Sequence, residues 1–291
     1  MPIILPPDQY ATVDGLRVRY LEVGSGTPLV LLHGLGNSSL IWHRVLTPLS
    51  EGARIIAVDL PGHGLSDVPV RPYTSADGVA FMTGFLDTLE IPRAVLAGNS
   101  LGGSVALETA LVAPQRVQGL ALIDSAGLGR EIHWSLRLGS IKGVGERFER
   151  PTLKHMRELA RLLMYDPAKI ELELLQDMAR FRARAGATPF ILALLRYGVT
   201  PFGQRQRIVR TARLRELSCP TLVAWGREDR LFPVKQALRA QRAAPPDTQL
   251  HVFTRCGHWP ELEDPAAFTR VMQGFLQRCE LSGPSPQSSV R

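Results

Sequence analysis

Gly98-Asn99-Ser100-Leu101-Gly102, followed by Gly103, is the stretch on which the reading of the fold turns. It is a G-x-S-x-G pentapeptide, and its setting gives it meaning. Ile91–Ala97 before it reads as a turn feeding a short buried strand, and Gly103–Leu111 after it reads as a helix. A serine at so sharp a strand-to-helix turn has its hydroxyl pushed out above the sheet edge. The flanking glycines are needed because side chains there would collide.

Working outward, the neighbouring segments repeat this alternation. Leu29–His33 and Arg54–Asp59 are continuous apolar runs of the kind found in strands covered on both faces. Val117–Asp124 is another, and Gly15–Val23 alternates as a half-exposed strand. Helices are expected over Ser39–Leu49 and Tyr73–Leu89, and a turn-rich loop over Asp59–Ser66. Short buried strands alternating with helices predict a mostly parallel sheet with helices on both faces. The alternation stops near Gly127. From there to Leu217 the chain offers amphipathic stretches such as Leu153–Tyr165 and Ala168–Arg184, and no strand is expected. Strands resume at Cys219–Gly226 and Gln249–Thr254, with helices over Val234–Ala243 and Pro265–Arg278. The expected organisation is an α/β core of residues 1–126 and 218–280, with a helical lid of 127–217 inserted at the ligand-facing strand ends. A loose tail of 281–291, rich in Ser, Pro and Gln, completes it.

Composition narrows the function. The chain has 291 residues, 45% of them hydrophobic, enough for a large core. No run reaches the ~18 apolar residues of a membrane helix. The N-terminus lacks the basic start and apolar stretch of a signal peptide, so a cytoplasmic location is expected. The three cysteines are far apart without C-x-x-C spacing, and the seven histidines form no ligand motif, so no metal or cofactor is implied. The net charge is +7, and residues 128–218 hold 18 basic against 9 acidic side chains. That surplus reads first as a solvated basic helical surface and second as a field for an anionic substrate. Nucleic-acid binding is not expected, since none of its sequence signatures is present.

A serine hydroxyl needs a base, and the base needs an orienting acid. His258, after the last strand, and Asp229, after Trp225-Gly226-Arg227-Glu228, supply them. Ser100, Asp229 and His258 occur in the order nucleophile, acid, base. Glu228 is a rival acid, but the pattern W-G-x-x-D favours Asp229. Oxyanion donors are expected from the Leu101 amide at a helix N-terminus and the Leu35 amide in His33-Gly34-Leu35-Gly36.

Over nearly its whole length the chain resembles the α/β-hydrolase superfamily. The matching pieces are His33–Gly36, Asp59–Ser66, Gly98–Gly103, Trp225–Asp229 and Gly257-His258-Trp259. The resemblance implies an eight-stranded, mostly parallel sheet, a helical cap and hydrolysis through an acyl-enzyme. Serine at 100 argues against the dehalogenase and epoxide-hydrolase branches, which use aspartate there. Asn99 and Trp259 look like the meta-cleavage-product C–C hydrolases, which use a cap arginine to hold a carboxylate. Arg180 is the nominated match, with Arg182 and Arg184 competing. Gly34, Gly36, Asn99 and Trp259 complete the expected substrate-binding set, and His63 reads as a loop residue. The first expectation is a cofactor-free serine esterase acting on small to medium carboxylic esters, as a monomer or homodimer. A C–C hydrolase of aromatic catabolism and a ligand receptor on the same fold are the rivals.

Overall fold

A computed structural model describes residue 3, residues 5–71 and residues 73–281. Of the expected tail only Leu281 falls within them. The first half carries β1 Asp8–Val13, β2 Leu16–Val23, β3 Thr27–Leu32, α1 Leu46–Leu49, β4 Ala53–Val58, α2 Ser75–Thr88, β5 Ala94–Asn99, α3 Leu101–Val112 and β6 Val117–Ile123. Next come α4 Trp134–Gly139, α5 Val144–Phe148, α6 Leu153–Leu163, α7 Leu172–Arg182 and α8 Ala187–Gly198, then a minimal hairpin of β7 Val199–Thr200 and β8 Gly203–Gln204. The chain ends with β9 Thr221–Gly226, α9 Lys235–Ala243, β10 Gln249–Phe253, α10 Pro260–Glu263 and α11 Pro265–Leu281.

The eight-stranded sheet has the order β1-β2-β4-β3-β5-β6-β9-β10. β1 pairs antiparallel with β2, and β2 antiparallel with β4. All other pairings are parallel. This is the eight-stranded, mostly parallel sheet that the resemblance to the α/β-hydrolase superfamily implies. Strand β5 lies near the centre and every residue in it is buried. α3 packs on β5 and β6 and against α2, while α11 packs on β6 and against α1. One apolar cluster runs from the sheet into α6 and α7, taking in Met156, Leu163, Leu174 and Met178. No helix among the described residues is long and apolar enough to cross a membrane.

Three local expectations change. β1 is an edge strand that the sequence reading does not anticipate; its burial alternates, but with polar Gln9 on the inner side and Tyr10 on the exposed side. The expected helix over Ser39–Leu49 is a 3₁₀ turn, Ser39–Trp42, followed by the separate α1. Pro48 explains the break. In a continuous helix its ring would meet the carbonyl four residues back, whereas the first turn of α1 tolerates it. Finally, the segment expected to lack strands holds the β7–β8 ladder, of two residue pairs.

Candidate active site

The serine is placed by sterics. β5 ends at Asn99, α3 begins at Leu101, and Ser100 between them has φ 56° and ψ −116°. A left-handed φ in a non-glycine residue is strained and persists only where surroundings impose it. Here they do. The Ser100 amide donates to Ile123 O at 3.0 Å, and its carbonyl accepts from Ala126 N at 3.0 Å. A Cβ on Gly98 would lie 2.3 Å from the Gly102 carbonyl carbon, and one on Gly102 would lie 2.2 Å from Leu32 O. No side chain fits at either position.

His258 and Asp229 follow the ends of the two last strands in the sheet. His258 Nδ1 donates to Asp229 Oδ2 at 2.8 Å. Asp229 Oδ1 accepts from Leu231 N at 2.7 Å and Phe232 N at 3.2 Å, which pins the carboxylate in place. Both side chains are almost fully buried. The other imidazole nitrogen, Nε2, is buried with no protein partner. With Nδ1 carrying the proton, Nε2 is the free base, and it and Ser100 line the same cavity. Glu228, the rival acid, instead accepts from Cys256 N at 2.9 Å and braces the loop before His258.

Further groups hold this base in position. Asn99 lines the cavity, but its amide is turned to the protein, donating to His258 O at 2.9 Å. His258 N donates to Leu163 O, at the end of α6. Glu263 accepts from Gly257 N at 2.7 Å and from Tyr165 N at 2.8 Å, joining that loop to the residues after α6. Trp259 is buried and lines the cavity.

Asp124 is the group that sequence reasoning missed; it entered only as the end of a strand. Its carboxyl, that of Asp229 and the His258 ring all lie within 4.8 Å of one another. Adjacent buried carboxyls do not both ionise. Asp229 accepts three hydrogen bonds, while Asp124 accepts one, from Gly226 N at 2.9 Å. Burial and the neighbouring Asp229 push Asp124 well above the usual carboxylate range. It therefore retains its proton and can donate it in a hydrogen bond to Asp229. Because His258 and Asp229 already bond each other, the cluster reads as a proton-holding set.

On the other side of Ser100 lies the loop Gly34–Gly36. A Cβ on Gly34 would come within 3.1 Å of Ser100 Cβ. Leu35 and Leu101 both line the cavity beside the serine. His33 shapes the loop: Nδ1 donates to Gly34 O at 2.8 Å and Nε2 accepts from Leu60 N at 3.0 Å. This pattern needs the neutral ring, and burial brings its pKa down to about 4. His63, read as a loop residue, is buried at the cavity wall and pushed to about 3 by burial and by His33.

The cavity has a volume of about 740 Å³. Its far wall comes from the segment between β6 and β9, with Leu136, Leu159, Leu192 and Leu195 among its apolar side chains. The nominated arginine is not in it. Arg180 is exposed and paired with Asp177 at 2.8 Å, because it lies off the buried stripe of α7. Arg182, two residues on, faces inward and lines the cavity. Its guanidinium is already engaged, donating to Gly36 O at 2.9 Å and pairing with Glu149. Gly36 thus serves as a backbone anchor for Arg182. Burial would raise Glu149, but Arg182 and His155 more than offset it and hold it at about 2. Arg184 reaches the carbonyls of Gly64 and Ser66 instead.

Comparison with known proteins agrees with this fold. Residues 29–271 match the model of the alpha/beta hydrolase family. A 2-hydroxy-6-oxononadienedioate/2-hydroxy-6-oxononatrienedioate hydrolase of Burkholderia vietnamiensis is 35% identical over 271 residues, covering 90% of this chain and 92% of that protein. Two solved structures share a TM-score of 0.80 and 28% identity with it. One is a meta-cleavage product hydrolase from Pseudomonas fluorescens, covering 93% of this chain and 97% of that one. The other is a membrane phospholipase A described as a bacterial virulence factor, covering 94% and 86%. The relatives thus include a dienedioate hydrolase, a meta-cleavage product hydrolase and a phospholipase A, and the match over residues 29–271 shows that this chain belongs to the alpha/beta hydrolase family.

Proposed function

We propose that the protein hydrolyses neutral carboxylic esters of small to medium acyl groups, with Ser100 as nucleophile, His258 as base and Asp229 as its orienting acid. Ser100 Oγ gives its proton to His258 Nε2 and attacks the ester carbonyl. The amides of Leu35 and Leu101 face the resulting oxyanion. His258 returns the proton to the departing alcohol, leaving an acyl-serine. Water then repeats the sequence and releases the acid. Asp124 keeps a neutral hydrogen bond on Asp229. The segment 127–217 acts as a cap that closes the acyl pocket against water.

One observation carries the choice of an ester. Among the described residues lining the cavity, Arg182 is the one permanent cation, and Glu149 already neutralises it. A substrate carboxylate would meet Glu149 as well as Arg182. An uncharged ester with an apolar body suits the leucine-lined wall, and the volume lies within the usual range for ligand pockets.

A second reading is C–C hydrolysis of an anionic dienoate. Arg182 at the cavity wall favours it, as do the names of two of the relatives above. In that case Glu149 must yield its partner to the substrate. A panel of p-nitrophenyl esters of rising chain length, run beside a dienol-dioate, separates the two. The ester reading expects turnover of the esters with an optimum in chain length, and none of the dioate. Turnover of the dioate alone overturns it.

A further inference from the structure

The mouth of the cavity has an unusual rim. Trp134 and Phe148 are each 63% exposed and Leu138 is 43% exposed, yet all three also line the cavity. They therefore stand at its opening. Ile141, also exposed, lies in the turn between α4 and α5. That turn is tight, since a Cβ on Gly145 would lie 2.3 Å from Gly139 O. The short helices α4 and α5 thus present four large apolar side chains to water within one compact unit. A cluster of this kind on a protein surface marks a docking site.

Its surroundings indicate the partner. Lys142, Arg147, Arg150, Lys154 and Arg157 are all exposed on the same unit and on the first turns of α6. Among the described residues none of these five pairs with a carboxylate. The acids of the same stretch are spent elsewhere: Glu146 pairs with Arg196 and Glu149 with Arg182. Glu158 is the one exposed acid left. Exposed tryptophan, phenylalanine and leucine interspersed along the chain with unpaired lysine and arginine is the composition of a surface that enters the boundary of an anionic lipid layer. A protein partner with an acidic rim would satisfy the charges, but it gives no reason for Trp134, Leu138 and Phe148 to stand at the mouth of an apolar cavity.

We propose that the α4–α5 face docks on an anionic lipid surface, with Trp134, Leu138, Ile141 and Phe148 entering the lipid and the five cations lying against the headgroups. Docked in this way, the cavity opens directly into the layer. Resting on the ester reading above, its substrate class is then an acyl ester dissolved in that layer. The docking itself does not depend on that reading.

The protein supplies its own reporter. Trp42, Trp225 and Trp259 are buried, and Trp134 is exposed. The experiment uses the full chain carrying Ser100→Ala, so that binding is measured without turnover. It is mixed with vesicles of phosphatidylcholine alone or of phosphatidylcholine with phosphatidylglycerol. Co-sedimentation should be at least tenfold stronger with the anionic vesicles. Tryptophan emission should shift to shorter wavelength and be quenched by brominated acyl chains. High salt should weaken binding, because at ~1 M the screening length falls to about 3 Å. Phe148→Ser with Leu138→Ser should abolish the emission shift, and Lys142→Gln with Lys154→Gln should lower anionic binding severalfold. Circular dichroism of each variant checks that it is folded. Absence of vesicle binding, equal binding to both vesicle types, or binding with no change at Trp134 overturns the proposal. So does a patch that proves, by sedimentation of the free protein, to be covered by a second copy of the chain. If docking holds and no ester in the vesicles is cleaved by the Ser100 form, the ester reading fails and the surface stands.

Discussion

The sheet core and the segment between β6 and β9 are held together by different means. In the core the strands are continuous apolar runs, and Leu29–Leu32, Ile55–Val58 and Val95–Ala97 are wholly buried. The inserted segment is rich in arginine, and it uses arginine as an adhesive. Arg182 reaches Gly36 O, Arg184 reaches Gly64 O and Ser66 O, and Arg210 pairs with Glu108 of α3. In return Arg44, before α1, pairs with Glu171 at 2.5 Å and donates to Lys169 O. Arginine suits this work because its planar fork offers five donors and stays charged. The basic surplus is therefore only partly a solvated surface. Apolar packing fixes Ser100, and directional hydrogen bonds seat the segment that forms the far wall of the cavity.

That contrast can be broken, beginning on the core side. Ser100→Ala should lower kcat by about 10⁵–10⁶, since members of such a set act as a unit. A serine-directed phosphonate should label the parent protein once, at Ser100, as read by peptide mass mapping. Asp229→Asn should cost on the order of 10⁴ in turnover. Glu228→Gln should leave turnover nearly unchanged, and steady-state kinetics of the two side by side distinguish the acids. Asp124→Asn keeps a donor toward Asp229 and should spare the rate and its pH profile; Asp124→Leu should not.

The inserted segment should respond in stability. Arg182→Gln leaves the half-buried Glu149 with His155 as its remaining partner and should destabilise by about 3 kcal/mol, the low end for breaking a buried pair. Adding Glu149→Gln should recover much of that loss, as read by thermal melting. If Arg182→Gln instead abolishes turnover of a dienol-dioate while sparing esters, the arginine holds substrate. The smallest effect is on acid tolerance. His33 and His63 are buried neutral, at about 4 and about 3, below the ordinary value near 6.5. The unfolded chain then binds more protons between about pH 6.5 and 3, so stability falls as pH is lowered through that window. For His33 alone the loss approaches about 3 kcal/mol. A melting series from neutral to acid pH should flatten in His33→Asn.

Much of this arrangement is legible in the residues. Buried parallel strands leave apolar runs, and a serine elbow leaves glycines on both sides. Ser100, His258 and Asp229 stand at strand ends, so locating the strands locates them. β1 was not visible because an edge strand has little apolar pattern to show. The choice of Arg180 over Arg182, the arginine at the cavity wall, fails for a different reason. Leu174, Leu175, Met178 and Phe181 mark the buried stripe of α7. Arg182, four residues after Met178, continues that stripe, and Arg180 does not. The signal was present, but only the helical register reveals it. Asp124 left no such trace, since its role depends on the approach of Asp229 across two strands.

The place where the segment enters the chain has a consequence for how such a protein can change. Ile123 and Ala224 are neighbours in the sheet, although residues 127–217 intervene between them. To the sheet, that whole stretch is one closed loop. Doubling a flexible loop adds only about 0.6 kcal/mol to the cost of closing it. Helices there can be lengthened, lost or exchanged with little penalty to β6 and β9, whereas a single methyl added at Gly98 or Gly102 meets backbone at once. Heredity can therefore rewrite what enters the cavity, and the surface it opens onto, without rewriting the chemistry at its floor.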